Sequence, residues 1–131
     1  MKFLVTIIFT LSTLYSFAQN KNKQNDSLKL QSINAVSYRL FPTQNIYNFI
    51  KLNTRNGQMW LVQFGVEEEN RMTTNLSIVP LVTSDKEVND RFTLYPTQNI
   101  YTFILLDQMD GRTWQVHWSI NLEKRFITPI E

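Results

Sequence analysis

One segment occurs twice in this chain, and that duplication constrains the fold more than any other feature. Residues 38–64 read YRLFPTQNIYNFIKLNTRNGQMWLVQF, and residues 92–118 read FTLYPTQNIYTFILLDQMDGRTWQVHW, at a constant offset of 54 without a gap. Thirteen of the 27 aligned positions are identical: Leu40/Leu94, Pro42 to Tyr47 against Pro96 to Tyr101, Phe49/Phe103, Ile50/Ile104, Leu52/Leu106, Gly57/Gly111, Trp60/Trp114 and Val62/Val116. Weaker likeness continues through Glu69/Glu123 and Arg71/Arg125. Such a repeat is one supersecondary unit used twice, and a unit that cannot bury its apolar face alone packs on its copy.

Each copy carries hairpin chemistry. Residues 46–53 and 100–107 are rich in Ile, Tyr, Phe and Leu, and Asn56-Gly57 and Asp110-Gly111 follow them. Asn-Gly and Asp-Gly between apolar runs signal a hairpin, because glycine accepts the positive φ of the turn. The return strands are residues 58–64 and 112–118. Side-chain alternation places Trp60, Val62 and Phe64 on one face, and Trp114, Val116 and Trp118 on its equivalent, as the predicted core. An even-numbered loop sets Phe49 and Phe103 beside those tryptophans, whereas a three-residue loop sets Ile50, Leu52, Ile104 and Leu106 there. The even-numbered loop is the expectation, and either register leaves apolar groups on the second face.

Residues 37–41 and 91–95 read as a preceding strand, joined to the hairpin by a tight Pro-Thr-Gln-Asn connection. Residues 71–79 and 125–130 can each add one more short strand. The expected fold is all-β: two pseudo-symmetric antiparallel three-stranded meanders, related by a pseudo-twofold axis, packed as a small sandwich or partly open barrel. Residues 67–70 read as a solvated loop. Residues 83–90 read as a polar connection with one helical turn capped by Ser84 or Asp85.

The rest of the chain gives the organisation. Residues 1–18 have a basic Lys2, an apolar run and a Ser-Phe-Ala ending, the pattern of a secretory signal peptide too short for a membrane span. Residues 19–27 are a polar, disordered tail by composition. Residues 28–131 form a single β domain with repeats at about 38–79 and 92–131, and residues 28–36 are ambiguous between strand and helix. No second apolar segment exists, so no membrane association is expected after signal cleavage.

Composition limits the chemistry. The chain has no cysteine, one histidine and three glycines. Disulfides, thiolate metal sites and a thiol nucleophile are therefore excluded, and glycine-rich phosphate cradles have little to draw on. Lysine and arginine total 13 against 11 acidic residues, with no basic stripe to neutralise a nucleic-acid backbone. No nucleophile elbow, zinc-protease motif or EF-hand spacing occurs, so no catalytic residue, metal site or cofactor is expected. An enzyme or enzyme inhibitor would have to use His117 or the acidic run Glu67-Glu68-Glu69. His117 is matched by Gln63 in the first copy, and consecutive carboxylates on a loop rarely converge on one ion. Asp107 and Asp110 are matched by Asn53 and Asn56, which fits turn capping better than a mechanism that requires carboxylates.

The duplicated Pro-Thr-Gln-Asn-Ile-Tyr is the candidate binding site. It presents Gln44, Asn45 and Tyr47 with Gln98, Asn99 and Tyr101, amide and hydroxyl groups beside aromatic rings that suit a sugar or a peptide backbone. Alternatively, each stretch is a turn whose side chains satisfy backbone groups. Trp118, near a strand end, reads as the more exposed aromatic, while Trp60 and Trp114 read as core. Asp26-Ser27-Leu28 resembles the acceptor for O-glycosylation in Bacteroides-type bacteria, with Ser27 as the modified residue. Asn25-Asp26-Ser27 and Asn75-Leu76-Ser77 match the N-glycosylation sequon, which matters only in a eukaryotic secretory route.

The whole repeat pattern, L-[FY]-P-T-Q-N-I-Y-x-F-I-x-L-[ND]-x-x-[ND]-G-x-x-W-x-V, resembles small exported tandem-repeat proteins of uncharacterised function from Bacteroides-type gut bacteria, over residues 38–127. The resemblance implies periplasmic or secreted placement and supplies no activity. The Leu106 to Trp114 stretch also looks like hairpins of β-propeller repeats, although two copies cannot close a propeller. The function expected is a non-enzymatic exported protein that binds an envelope protein or a glycan. A structural protein pairing through exposed strand edges is the other class in view.

Overall fold

The apolar runs of each repeat become a four-stranded antiparallel meander. The computed structural model describes residues 36–131. Its first sheet is β1 (Tyr38–Pro42), β2 (Asn48–Asn53), β3 (Met59–Gln63) and β4 (Met72–Ser77), paired in that order. Its second is β5 (Phe92–Pro96), β6 (Thr102–Asp107), β7 (Thr113–His117) and β8 (Phe126–Ile130), again in order. Among the described residues there is no α-helix, and neither sheet closes into a barrel. The segments expected as signal peptide and polar tail, Ser27 and residues 28–35 lie outside the described residues.

The three-stranded units are thus four-stranded, because residues 71–79 and 125–130 each supply an added strand. Pro129 sits on the edge strand β8, where its missing N–H costs no ladder bond. Residues 67–70 are exposed as expected and form a single 3-10 turn from Glu68. The expected turn after residue 83 also forms, at Ser84–Lys86, but its cap is Thr83 and no side chain caps it.

The hairpin loops set the register. The Asn53 amide donates to the Gln58 carbonyl at 2.8 Å, and the Asp107 amide to the Arg112 carbonyl at 2.9 Å, which closes a four-residue loop in each copy. The even-numbered expectation therefore holds: Phe49 pairs with Val62, and Phe103 with Val116. Every pairing between the first three strands of one sheet recurs in the other at the 54-residue offset.

Identical registers, however, are used with opposite faces buried. The first sheet buries Ile50, Leu52, Met59 and Leu61, with Phe41 and Leu76 packed against them. The second buries Leu94, Phe103, Leu105, Trp114, Val116 and Trp118, with Ile127 alongside. All of these belong to one hydrophobic cluster. A pseudo-twofold axis would bury equivalent residues twice, so that expectation is corrected: the sheets stack front to back, each copy contributing a different face. The predicted core holds for the second copy only, since Trp60 and Val62 are half-buried and Phe64 is 50% exposed. Each fully buried Leu, Ile or Phe contributes about 1.5–3 kcal/mol relative to exposure.

The connection between the sheets is fastened at two residues. Thr54 is completely buried; its carbonyl accepts the Phe92 amide at 2.7 Å, and its hydroxyl accepts the Asp90 amide at 3.1 Å. Asp90 adopts φ 61°, and its carboxylate accepts from the Val36 amide and from the Arg39 guanidinium at 2.9 Å. Aspartate tolerates this left-handed conformation better than most residues because its short side chain bonds locally.

The connection also makes the two turn glycines unequal. Gly57 and Gly111 share a positive φ, 81° and 78°. A Cβ on Gly57 would meet the Leu81 side chain at 2.8 Å, whereas one on Gly111 would meet nothing within 4 Å. Gly111→Ala should cost about 1–2 kcal/mol from the left-handed backbone alone. Gly57→Ala should cost more, because Leu81 must also move. Urea unfolding of the two variants checks this, and equal losses would show that the Leu81 contact has no weight.

Candidate functional site

The duplicated loops build the same local structure in both copies. The Thr43 hydroxyl donates toward the Asn45 and Asn48 carbonyls, as the Thr97 hydroxyl does toward Asn99 and Thr102. Asn45 Oδ1 accepts the Tyr47 amide at 3.0 Å, and Asn99 Oδ1 the Tyr101 amide at 2.9 Å. These are Asx turns, in which the side-chain carbonyl replaces a backbone acceptor. Both asparagines thus commit Oδ1 to the turn, and their Nδ2 groups remain as donors.

The front-to-back stacking brings the loops side by side. Only a crevice of about 30 Å³ separates them, lined by Pro42 and Gln44 from one and Pro96 and Asn99 from the other. A groove of about 400 Å³ opens next to it, where Gln44 and Asn45 face Ile100, Tyr101, Trp118, Ser119 and Ile120. A second groove of about 440 Å³ is lined by Asn45, Tyr47, Asn48, Gln63, Phe64 and the segment that follows, with Ile120. Asn45 and Ile120 line both grooves.

Of the residues expected to bind, Gln44, Asn45, Tyr47 and Tyr101 line these two grooves. Gln98 lines none of the three spaces, and Asn99 reaches only the crevice. Trp118 borders a groove but is 2% exposed, and its indole N–H donates to the Ile100 carbonyl at 2.9 Å. The expectation that it is the more exposed aromatic is therefore corrected, and Phe64, its counterpart, takes that place. Asn75 of the Asn75-Leu76-Ser77 sequon lies within β4.

Sequence reasoning passed over Asn48. It is 2% exposed, it lines the larger groove, and its Oδ1 has no hydrogen-bond partner among the described residues. A buried acceptor left unpaired costs about 1–3 kcal/mol. The only signal in the sequence was a polar amide at a strand start where the copy has Thr102.

The second unpredicted feature is a charge cluster at the β6–β7 turn. The Arg91 guanidinium donates to both oxygens of fully buried Asp107, at 2.8–3.0 Å, and to the Lys86 carbonyl. Those bonds to the Asp107 carboxylate hold Arg91 above the usual arginine range. Arg112 bonds Asp110 at 2.7 Å; partial burial opposes ionisation of Asp110, but the Arg112 amide and guanidinium outweigh it and hold its carboxyl below the usual range. Asp107 still accepts the Met109 amide, as Asn53 accepts that of Arg55. Turn capping therefore accounts for the Asn/Asp exchange, and the second copy adds an ion pair where the first has Ser37 and Asn53.

The remaining candidates are packed or solvated. The His117 ring stacks on Phe126 at 5.0 Å and lies tilted against Tyr101 at 5.9 Å. Glu67, Glu68 and Glu69 are exposed. Among the described residues, no three His, Asp or Glu side chains are placed to hold one metal ion. In comparisons with known proteins, the chain matches no family model, no curated protein and no solved structure.

Removing one partner of a buried ion pair strands the other, so Arg91→Ala should cost about 3 kcal/mol in urea unfolding. The double change Arg91→Ser with Asp107→Asn installs the first copy's pair and should recover most of that loss. No recovery would mean that the arginine acts by packing rather than charge.

Proposed function

We propose that the chain is an exported, non-enzymatic binding protein that holds a glycan or a polar segment of another envelope protein in the two grooves beside its duplicated loops. The observation that carries this reading is Asn48, a buried acceptor without a partner at the wall of the larger groove. A ligand hydroxyl or amide donating to Oδ1 would recover the cost of leaving it unpaired. Asn45 Nδ2 supplies a donor between the grooves, and the Tyr47, Phe64 and Tyr101 rings supply apolar area for a sugar face or a peptide backbone. The N-terminal signal pattern supports the placement outside the cytoplasm. The aromatic packing of His117, stacked on Phe126 and tilted against Tyr101, favours binding over catalysis.

The test is a glycan screen and an envelope-extract pull-down with purified residues 19–131. Asn48→Thr, which installs the second copy's residue, and Asn45→Ala should each weaken a retained ligand by about tenfold or more, near 1.4 kcal/mol. Asn99→Ala, outside both grooves, should leave binding unchanged. No retained partner, or equal losses in all three variants, would sink the proposal.

A further inference from the structure

We propose that copies of this chain associate head to tail into a closed ring, because each copy exposes both halves of the interface that joins its own two sheets. Inside one chain, the Ile50/Leu52 face of the first sheet packs on the Trp114/Val116 face of the second. Among the described residues, the two faces left outside are the equivalents of those buried ones. The first sheet turns Leu40, Phe49, Trp60 and Val62 outward, identical to Leu94, Phe103, Trp114 and Val116 in the core. The second turns Tyr95, Ile104 and Leu106 outward, matching Phe41, Ile50 and Leu52. Tyr38, Leu40 and Tyr95 are more than half exposed, at 57%, 58% and 51%.

The free face is already arranged like the buried one. Tyr38 and Trp60 lie 6.4 Å apart at 50°, and their buried counterparts Phe92 and Trp114 lie 6.1 Å apart at 51°. A side-chain arrangement that exists before docking loses little conformational entropy on docking.

A hydrogen-bond clamp is duplicated in the same way. Arg125 holds the Ser119 and Ile120 carbonyls of its own loop, then crosses to the first sheet to donate to the Thr74 hydroxyl and the Asn75 carbonyl. Arg71 holds the equivalent Gly65 and Val66 carbonyls. The equivalents of its missing targets are Thr128 and the Pro129 carbonyl, on β8, which the preceding copy, docked on the Trp60 face, would bring within its reach.

An interface between unlike faces does not close on itself as a twofold dimer does; repeated, it yields a ring or a filament. Rings of stacked four-stranded meanders close with four to eight sheets, which corresponds to about two to four copies. Lys51 in place of Leu105, and Thr113 and Gln115 in place of Met59 and Leu61, put polar groups on both sides of this junction. They keep the free faces compatible with water before assembly.

Light scattering and native mass spectrometry of residues 19–131 should show one discrete species of about two to four copies. Trp60→Glu and Ile104→Glu should each abolish it, and mixing the two variants should restore a one-to-one dimer through the face each retains. Leu40→Glu and Tyr95→Glu, at exposed positions, serve as a second pair, with circular dichroism showing that the monomers are folded. A strict monomer, including one whose Trp60 face is covered by its own residues 19–35, would overturn the proposal. So would a dimer that either variant forms alone, or open-ended filaments.

Discussion

The structure depends on one packing choice: two sheets with the same strand order, and the same register through their first three strands, bury opposite faces against each other. One small meander cannot bury an apolar face alone, and its copy supplies cover for one face of each. Because the contact is front to back, the loops at corresponding ends fall side by side rather than at opposite ends of the molecule. The crevice between Pro42 and Pro96, the groove between Asn45 and Tyr101, and the reach of Arg125 to Thr74 all follow from that arrangement.

The register was legible in the sequence because it is set locally. Asn56-Gly57 and Asp110-Gly111 fix a four-residue loop, and a period of two then decides which residues oppose which. The choice of buried face was not legible, for a physical reason. Phe49 and Ile50 are adjacent, both apolar and both duplicated, so each strand offers two faces fit for burial. Trp60 and Trp114 occupy identical positions in identical hairpins, yet one is half-buried and the other is core. What separates them is which side the neighbouring sheet occupies, a fact of tertiary stacking that apolar alternation alone does not encode. The polar exchanges at Thr113 and Gln115 were the available clue that the second copy turns that face outward.

The loops show the same division between local and global information. That Thr43, Asn45, Thr97 and Asn99 form turns could be read from residue type, since their bonds lie within five residues of chain. Which of them reach a ligand-sized space could not. Asn45 borders two grooves and Asn99 neither, because the first loop has the second sheet beside it and, among the described residues, the second loop has no further sheet beyond it. Arg91 and Asp107 were likewise invisible as a pair, being sixteen residues apart and matched by neutral residues in the first copy.

Identity between copies therefore carries less weight than difference between them. Within Pro-Thr-Gln-Asn-Ile-Tyr, the threonine and asparagine of both copies serve turn chemistry that each loop needs on its own account. Asn48 against Thr102 is a difference that the turn does not require: both residues present their backbone amide and carbonyl to the same loop bonds. The asparagine adds a buried acceptor without a partner in the one copy whose strand start borders the larger groove. An unpaired buried acceptor carries a cost that turn formation does not require, and its place at the wall of a groove, in one copy only, is what the binding proposal rests on.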